Sequence, residues 1–326
     1  MARVLVTGAT GFTGQALCRR LVGDGEQVVA LVRPTSKTDE LRSMGVECRK
    51  LDIRNPNEVV DGLSGIGVVY HLAAAYRAEL ADRAEFERVN VDATRNLLEG
   101  AKRHKVKRFV HCSTVGVQGR IDDPPAAEDY RCKPTDHYQE SKLEGELLAR
   151  KYFQDGIPGC VVRPVGIYGP RDTRFLKLFR AVGGGYFVMI GGGKTLYHLT
   201  YIEDLVEGIV LAGRRQEAIG EVFTIAGPEY TTIRELVVLL ADVLQKPHPR
   251  WRVPFWPVYG AAVACDAMCR PFGISPPLYP RRVEFFHHDR AFTIAKARRL
   301  LGYEPKVALR DGLALTAEWY RGQGLL

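Results

Sequence analysis

Apolar positions along this chain fall into two alternating rhythms. Short β-rich runs recur at RVLVTG (3–8), QVVALVR (27–33), VECRKLDI (46–53), GVVYHLAAA (67–75), VKRFVHCST (106–114) and GCVVRP (159–164). Between them lie stretches whose apolar residues return every three to four positions. Examples are GQALCRRLVGDG (14–25), FERVNVDATRNLLEGAKRH (86–104) and a segment from about 137 to 154. Near-continuous apolar runs suit strands buried on both faces, and the longer spacing suits amphipathic helices. Strand–helix alternation of this kind predicts parallel βαβ units with right-handed crossovers, hence a twisted sheet covered on both sides. After residue 165 the rhythm loosens. GGGYFVMIGGGKTLYH (183–198) is glycine-rich, with a flexible hairpin expected around 191–195. YIEDLVEGIVLAG (201–213) reads as a helix and EVFTIAG (221–227) as a strand. Residues 247–280 are rich in proline and aromatics, and two short helical patterns close the chain. The expected organisation is a large α/β domain over 1–165, to which 199–227 returns. A smaller, interleaved C-terminal lobe is built mainly from 166–198 and 228–326.

Composition narrows the picture. With 326 residues, 46% apolar and 26% charged, the chain is ordinary globular material large enough for a substantial core. The net charge of +8 reads as a scattered solvated surface. The densest basic run, AKRHKVKRFV (101–110), ends a helix, where cations answer the dipole, so no nucleic-acid partner is expected. Seven scattered cysteines argue for a reducing, cytoplasmic setting rather than a disulfide framework. The amino terminus lacks a signal-peptide layout, and no apolar stretch is long enough to span a bilayer. No metal site is expected. His287 and His288 have no completing ligands nearby, and Cys265 with Cys269 make only two thiols.

Chemistry enters at the first turn. Gly8, Gly11 and Gly14 follow strand VLVT and open a helix. Glycine permits the tight turn and the close approach of a pyrophosphate, while the helix N-terminus offers N–H groups and a positive dipole end. The second strand ends in ALVRPTSK, with no acid to bind ribose hydroxyls but with Arg33 and Lys37 available for a 2′-phosphate. NADP is therefore favoured over NAD. Asp52 is a candidate partner for the adenine amino group, or else a helix cap.

YQESK (138–142) places a phenol and an ammonium four residues apart, on one helical face. The cation at Lys142, with an oxidised nicotinamide nearby, would lower the pKa of Tyr138 and make its phenolate a proton acceptor from a secondary alcohol. Ser113 or Thr114, at the end of the fifth strand, would hydrogen-bond the substrate oxygen.

Taken together, TGATGFTG, LDI, HLAAA, NVDATRNLL, YQESK, RPVGIYGP and LGYEP resemble, in order and spacing, the extended short-chain dehydrogenase/reductase family. The resemblance implies a Rossmann-type doubly wound sheet and a catalytic set of Thr114, Tyr138 and Lys142, with Ser113 the neighbouring candidate. It also implies cofactor contacts from Gly8, Thr10, Gly11, Phe12, Thr13 and Gly14. Further cofactor contacts would come from Arg33, Lys37, Asp52, Ile53, Leu72, Ala73, Ala74, Tyr138, Lys142, Pro164 and Ile167. Tyr76, Gly116, Arg171, Tyr197 and His198 are the substrate-side candidates. Relatives often dimerise through helices corresponding here to 86–104 and 137–154, so a homodimer is expected.

Three departures separate the chain from sugar-nucleotide members. Thr114-Val115-Gly116 lacks the two acids of a dehydratase, Gly166 stands in place of asparagine, and Tyr197-His198 stand in place of Arg-Asp. These point to the branch holding 3β-hydroxysteroid dehydrogenases, sterol decarboxylases and dihydroflavonol reductases. The expected activity is hydride transfer at a secondary alcohol or ketone of a fairly apolar small molecule, with decarboxylation where a β-carboxylate is present. The alternatives are a nucleotide-sugar 4-epimerase with retained NAD and, from a different class, a dinucleotide sensor. WRVPFWPVYGAAVACDAM (251–268) reads first as a wall of the substrate lobe. Peripheral membrane contact is the weaker reading, because few charges line it.

Overall fold

The computed structural model describes residues 3–76, 83–269, 272 and 276–326. Part of the proline-rich segment, 270–271 and 273–275, lies outside the described residues. The first strands are β1 (Arg3–Thr7), β2 (Val28–Val32), β3 (Glu47–Lys50), β4 (Ile66–His71), β5 (Arg108–Cys112) and β6 (Gly159–Pro164). They are followed by β7 (Gly166–Tyr168), β8 (Met189–Ile190), β9 (Leu196–Tyr201), β10 (Val222–Ile225), β11 (Tyr230–Thr232) and β12 (Arg252–Val253). The main sheet runs β10-β6-β5-β4-β1-β2-β3, and its strand pairs are parallel. This is the doubly wound Rossmann arrangement, in which the strand order reverses beside β1 and opens a crevice at the carboxyl ends. β11, β9 and β7 form a small second sheet, and β12 pairs with β8.

Helices of the first half are α1 (Phe12–Gly23), α2 (Asp39–Ser43), α3 (Pro56–Gly62), α4 (Arg83–Glu87), α5 (Ala93–Arg103) and α6 (His137–Gln154). Those of the second half are α7 (Leu176–Gly183), α8 (Ile202–Arg214), α9 (Ile233–Leu244), α10 (Phe255–Cys269), α11 (Pro280–Glu284), α12 (Ala295–Leu301) and α13 (Leu309–Gly322). Two buried clusters lie on opposite faces of the main sheet, one holding Leu17, Leu21, Leu205 and Ile209, the other Leu97, Leu98, Phe109 and Ala149. Strand residues divide between them in alternation: Val4 and Val6 belong to the first, Leu5 to the second.

Several expectations shift. The expected single helix 86–104 is broken by a π-helical turn at Arg88–Asp92. The extra residue in that turn brings Asn90 inward, as π-bulges do at functional sites. The expected hairpin at 191–195 is instead a turn after β8, whose partner is β12 in parallel register. HLAAA leaves the sheet after His71, and the third strand ends before LDI. Along α10 only Ala262 is buried, and Trp256 is 69% exposed. No helix among the described residues is long and apolar enough to cross a membrane.

Three histidines sit inside this framework: His71, His111 and His198. Burial pushes His71 down to about 3 and His198 to about 4, and holds His111 well below its ordinary value. The unfolded chain takes up protons near pH 6.5 that the native chain refuses, so stability is full above 6.5 and drains as pH falls. We expect the denaturant midpoint to drop between pH 6.5 and 5, above the range where carboxylates titrate. A midpoint that stays level across that window would show that these rings carry no such penalty.

Candidate active site

Glycine geometry builds the first half of the cleft. Gly8 has φ of +69°, and a Cβ there would meet Ala73 N at 2.8 Å and the Leu72 carbonyl carbon at 2.9 Å. The loop after β4 therefore backs directly onto the first turn. Thr7 Oγ1 accepts from Ala73 N at 3.1 Å, fixing the same approach. At Gly14 a Cβ would stand 2.1 Å from Gly8 O. α1 opens at Gly11 with no side-chain cap and no acidic residue in its first turn. Its first N–H groups thus face the cleft without a competing side-chain acceptor. This cradle fits a dinucleotide pyrophosphate. Thr10 and Gly11 are exposed, Phe12 and Thr13 half-buried at its rim, and Ala74 exposed just beyond Ala73.

Beyond β2, Arg33 and Lys37 are exposed. Arg54 binds Asp52 from Nε (3.0 Å) and Nη2 (2.6 Å), and this hydrogen bonding holds the carboxyl below its usual range. Arg33 adds to the lowering, which puts its charge near Asp52. Ile53 is half-buried beside them, and its carbonyl accepts from Asn96 Nδ2 at 3.1 Å. Pro164 ends β6, paired with Ile225 of β10, and Ile167 lies in β7.

The second half rests on α6, whose N-cap Asp136 accepts from Gln139 N. Lys142 is 3% exposed and donates to Cys112 O at 2.6 Å, which ties the helix to the end of β5. Burial lowers its basicity from the ordinary lysine value. The ammonium acts on both His71 and His111, and His71 Nδ1 hydrogen-bonds Thr7 Oγ1 at 2.8 Å. The ammonium's field therefore reaches His71, which is hydrogen-bonded to Thr7 at the end of β1, next to the glycine turn. One residue beyond Cys112, Ser113 is buried with no partner for its hydroxyl among the described residues. Thr114 is half-buried and its Oγ1 accepts from Gly116 N at 3.1 Å. Gly116 lies against Gln139 of α6, 3.5 Å from a Cβ built at that position. Tyr138 is half-buried, with the ring of Tyr76 5.2 Å away, edge to face. Tyr76 is 47% exposed and so forms part of the open wall.

One substrate-side candidate is corrected. Alternation along β9 turns His198 into the core, where its Nε2 binds Gly227 O at 3.1 Å. Tyr197 takes the opposite face, packed on Phe285. Arg171 pairs with Glu40 of α2, both side chains being exposed.

Asn90 was not among the sequence candidates. It is 1% exposed and receives Ala75 N on Oδ1 at 2.8 Å. Its Nδ2 donates to Ser141 Oγ at 2.9 Å, and Ser141 in turn donates to the carbonyl of Tyr138. Asn90 thereby fastens both the loop after β4 and the Tyr138 turn. The signal was present: a lone asparagine on the apolar stripe Phe86, Asn90, Thr94, Leu97.

The sheet, cradle and tyrosine–lysine helix define a dinucleotide-dependent α/β enzyme. A model of the NAD dependent epimerase/dehydratase family matches residues 4–226. The chain belongs to that family, within the extended short-chain dehydrogenase/reductases. It is 30% identical to the 4-hydroxy-2-methyl-3-oxo-4-farnesyl-3,4-dihydroquinoline-1-oxide ketoreductase of Stigmatella aurantiaca, over 99% of this chain and 98% of the relative. It is also 30% identical to a 3 beta-hydroxysteroid dehydrogenase/Delta 5-->4-isomerase of Mycobacterium tuberculosis, over 98% and 90% respectively. The crystal structure of UDP-glucuronic acid 4-epimerase from Bacillus cereus in complex with NAD superposes with a TM-score of 0.77 at 28% identity, covering 98% of this chain and 99% of that one.

Replacing Gly14 by Ala drives a methyl group into Gly8 O. We expect NAD(P) affinity, measured by calorimetry, to fall about tenfold or more as the turn is displaced. Unchanged affinity would show that the turn yields freely.

Proposed function

We propose that this protein is an NADP-preferring oxidoreductase acting on a secondary alcohol or ketone of a fairly apolar molecule. The observation that carries the reading is the buried Lys142 ammonium, one helical turn from Tyr138 and tied to the Cys112 carbonyl at the end of β5. A dinucleotide held by the glycine cradle would supply hydride transfer to or from the carbon that bears the substrate oxygen. Tyr138 takes the alcohol proton in the oxidative direction and returns it in the reductive one. Lys142 stabilises the phenolate by its charge, while Thr114 or Ser113 holds the substrate oxygen. The Ser113 hydroxyl, without a partner among the described residues, keeps it in play beside Thr114.

Two further points support the choice within the family. Val115 and Gly116 supply no acid for water elimination. Both curated relatives described above carry names for ketone or alcohol redox chemistry. A second reading, a nucleotide-sugar 4-epimerase, draws on the likeness to the Bacillus cereus enzyme and uses the same side chains.

Tyr138→Phe is expected to lower kcat by about 10²- to 10⁴-fold on a panel of sterols and secondary alcohols, with NADP affinity retained. Full activity in that variant would defeat both readings. Isomerised UDP-sugar without net NAD(P)H change in the wild type would favour the epimerase. Cofactor choice has its own test. Arg33→Gln is expected to raise KM for NADP about tenfold while moving KM for NAD far less, because only NADP carries the 2′-phosphate. Equal changes for the two cofactors would remove Arg33 from that role.

A further inference from the structure

The apolar side chains that this fold leaves in water are gathered in one place. The most exposed large ones among the described residues are Phe272 (77%), Trp251 (72%), Trp256 (69%), Met268 (66%) and Tyr186 (64%). Four of these lie on α10 or just beyond its ends. The β8–β12 pairing brings in the fifth. Met189 N donates to Trp251 O at 3.0 Å, which sets the Tyr186–Val188 stretch beside the start of the same segment. An apolar patch of this extent marks a surface that something else covers.

α10 is turned inside out. Its exposed line runs Trp256, Gly260, Val263 and Ala267, with Ala264 and Met268 beside it. The polar groups take the other side. Tyr259 donates its hydroxyl to Glu284 Oε1 of α11 at 3.3 Å, and Asp266, the one charged residue between 253 and 269, is half-buried. Phe255 stacks on His287, ring centroids 4.4 Å apart, and ties that inner side to the chain after α11. A wall of the substrate lobe, the first expectation for this segment, would bury the Trp256 line. The fold leaves it in solvent.

The rim selects the occupant. Arg250 and Arg252 stand on either side of Trp251, both exposed and neither paired with a carboxylate among the described residues. Nearby acids are engaged elsewhere, Glu284 with Tyr259 and Asp242 with His248. Exposed tryptophans beside unpaired cations suit an anionic lipid surface, with rings at headgroup level and cations on the lipid anions. A second copy of this chain would bring the same arginines to the same rim, with a net charge of +8 on each partner. With 15 residues, α10 is too short to cross a bilayer and would lie along it.

We propose that α10 and its flanks form a docking surface for an anionic lipid bilayer. Trp251, Trp256, Met268 and Phe272 enter the headgroup layer, and Arg250 and Arg252 rest on lipid anions. The docking is independent of the reaction assigned to the cleft.

The test is co-sedimentation of the full chain with vesicles of phosphatidylcholine alone, and of phosphatidylcholine with phosphatidylserine. The wild type binds the mixed vesicles, binds phosphatidylcholine about tenfold more weakly, and loses its hold on the mixed vesicles as salt rises. Two of the three tryptophans lie in the patch, so emission moves to shorter wavelength on binding. Trp256→Gln/Met268→Gln lowers partitioning about tenfold or more on both vesicles, because two apolar side chains no longer leave water. Arg250→Gln/Arg252→Gln lowers it about tenfold on the anionic vesicles alone. All four positions are exposed, so both variants keep the wild-type melting temperature, which checks that they fold.

A wild type that stays in solution with phosphatidylserine vesicles overturns the proposal. So does sedimentation undiminished in Trp256→Gln/Met268→Gln, which would place the contact elsewhere. Equal binding to both vesicles at every salt concentration removes the anionic surface. Self-association in the ultracentrifuge that Trp256→Gln/Met268→Gln abolishes, without vesicle binding, assigns the patch to a second copy and overturns the lipid.

Discussion

A lysine ammonium removed from water must be held by dipoles or it loses its proton. Lys142 is held by one strong contact, the carbonyl of Cys112 at the end of β5. That contact fixes the height of α6 against the main sheet, and with it the place where Tyr138 stands relative to the glycine turn. The helix is anchored again one turn later. Glu146 and Arg163 of β6 form a buried pair, with Nε and Nη2 at 3.0 and 2.6 Å from the carboxylate. Arg163 continues to Glu128 O at 2.9 Å, and Glu128 accepts from Thr224 N of β10 at 2.8 Å. Such pairs add little net stability, because desolvation offsets attraction, but they penalise any shift in register. Here the two charged contacts of α6 oppose any sliding of the face that carries Tyr138.

The opposite side of α6 is set by backbone approach. A Cβ at Gly145 would fall 2.4 Å from Asn90 O, so glycine lets the helix touch the π-helical turn. That turn then presents Asn90 to Ser141 and to Ala75 together. Thr94 completes the link. Its Oγ1 meets His71 Nε2 at 2.9 Å and donates to Asn90 O at 2.8 Å. The hydrogen bonds run from Thr7 through His71, Thr94, Asn90 and Ser141 to the Tyr138 carbonyl, entirely inside the protein. Buried polar chains of this kind favour a single arrangement when every member is satisfied. His111 departs from that rule, since both ring nitrogens lack partners among the described residues and its ring lies 5.4 Å from His71.

How far the sequence could be read follows from which interactions are local. The glycine turn, the YQESK helix and the parallel strands depend on spacing within one element, and each was legible. The boundaries of α6, His137–Gln154, need only its cap and its periodicity. What escaped was set by contacts distant in sequence. Asn90 reads as an ordinary helix position until Ala75 and Ser141 arrive from either side. The β8–β12 pairing joins segments some sixty residues apart, so no local pattern announces it. His198 and Tyr197 differ only in which face of β9 they take, and that depended on a small sheet whose partners, β7 and β11, were not evident.

The division between fixed and variable parts also explains why family likeness outruns knowledge of the substrate. The contacts that position Tyr138 and Lys142 lie on the main sheet, α6 and the π-helical turn, among buried hydrogen bonds. The residues facing outward across the cleft belong to other segments: Tyr76 after β4, Tyr197 on β9, and the turn before α7. A side chain there can change without disturbing Lys142 or Asn90. Relatives named for such different molecules as a quinoline oxide and a steroid are therefore compatible with one catalytic floor. Substrate choice in this chain must then be sought in the polar groups of that variable wall.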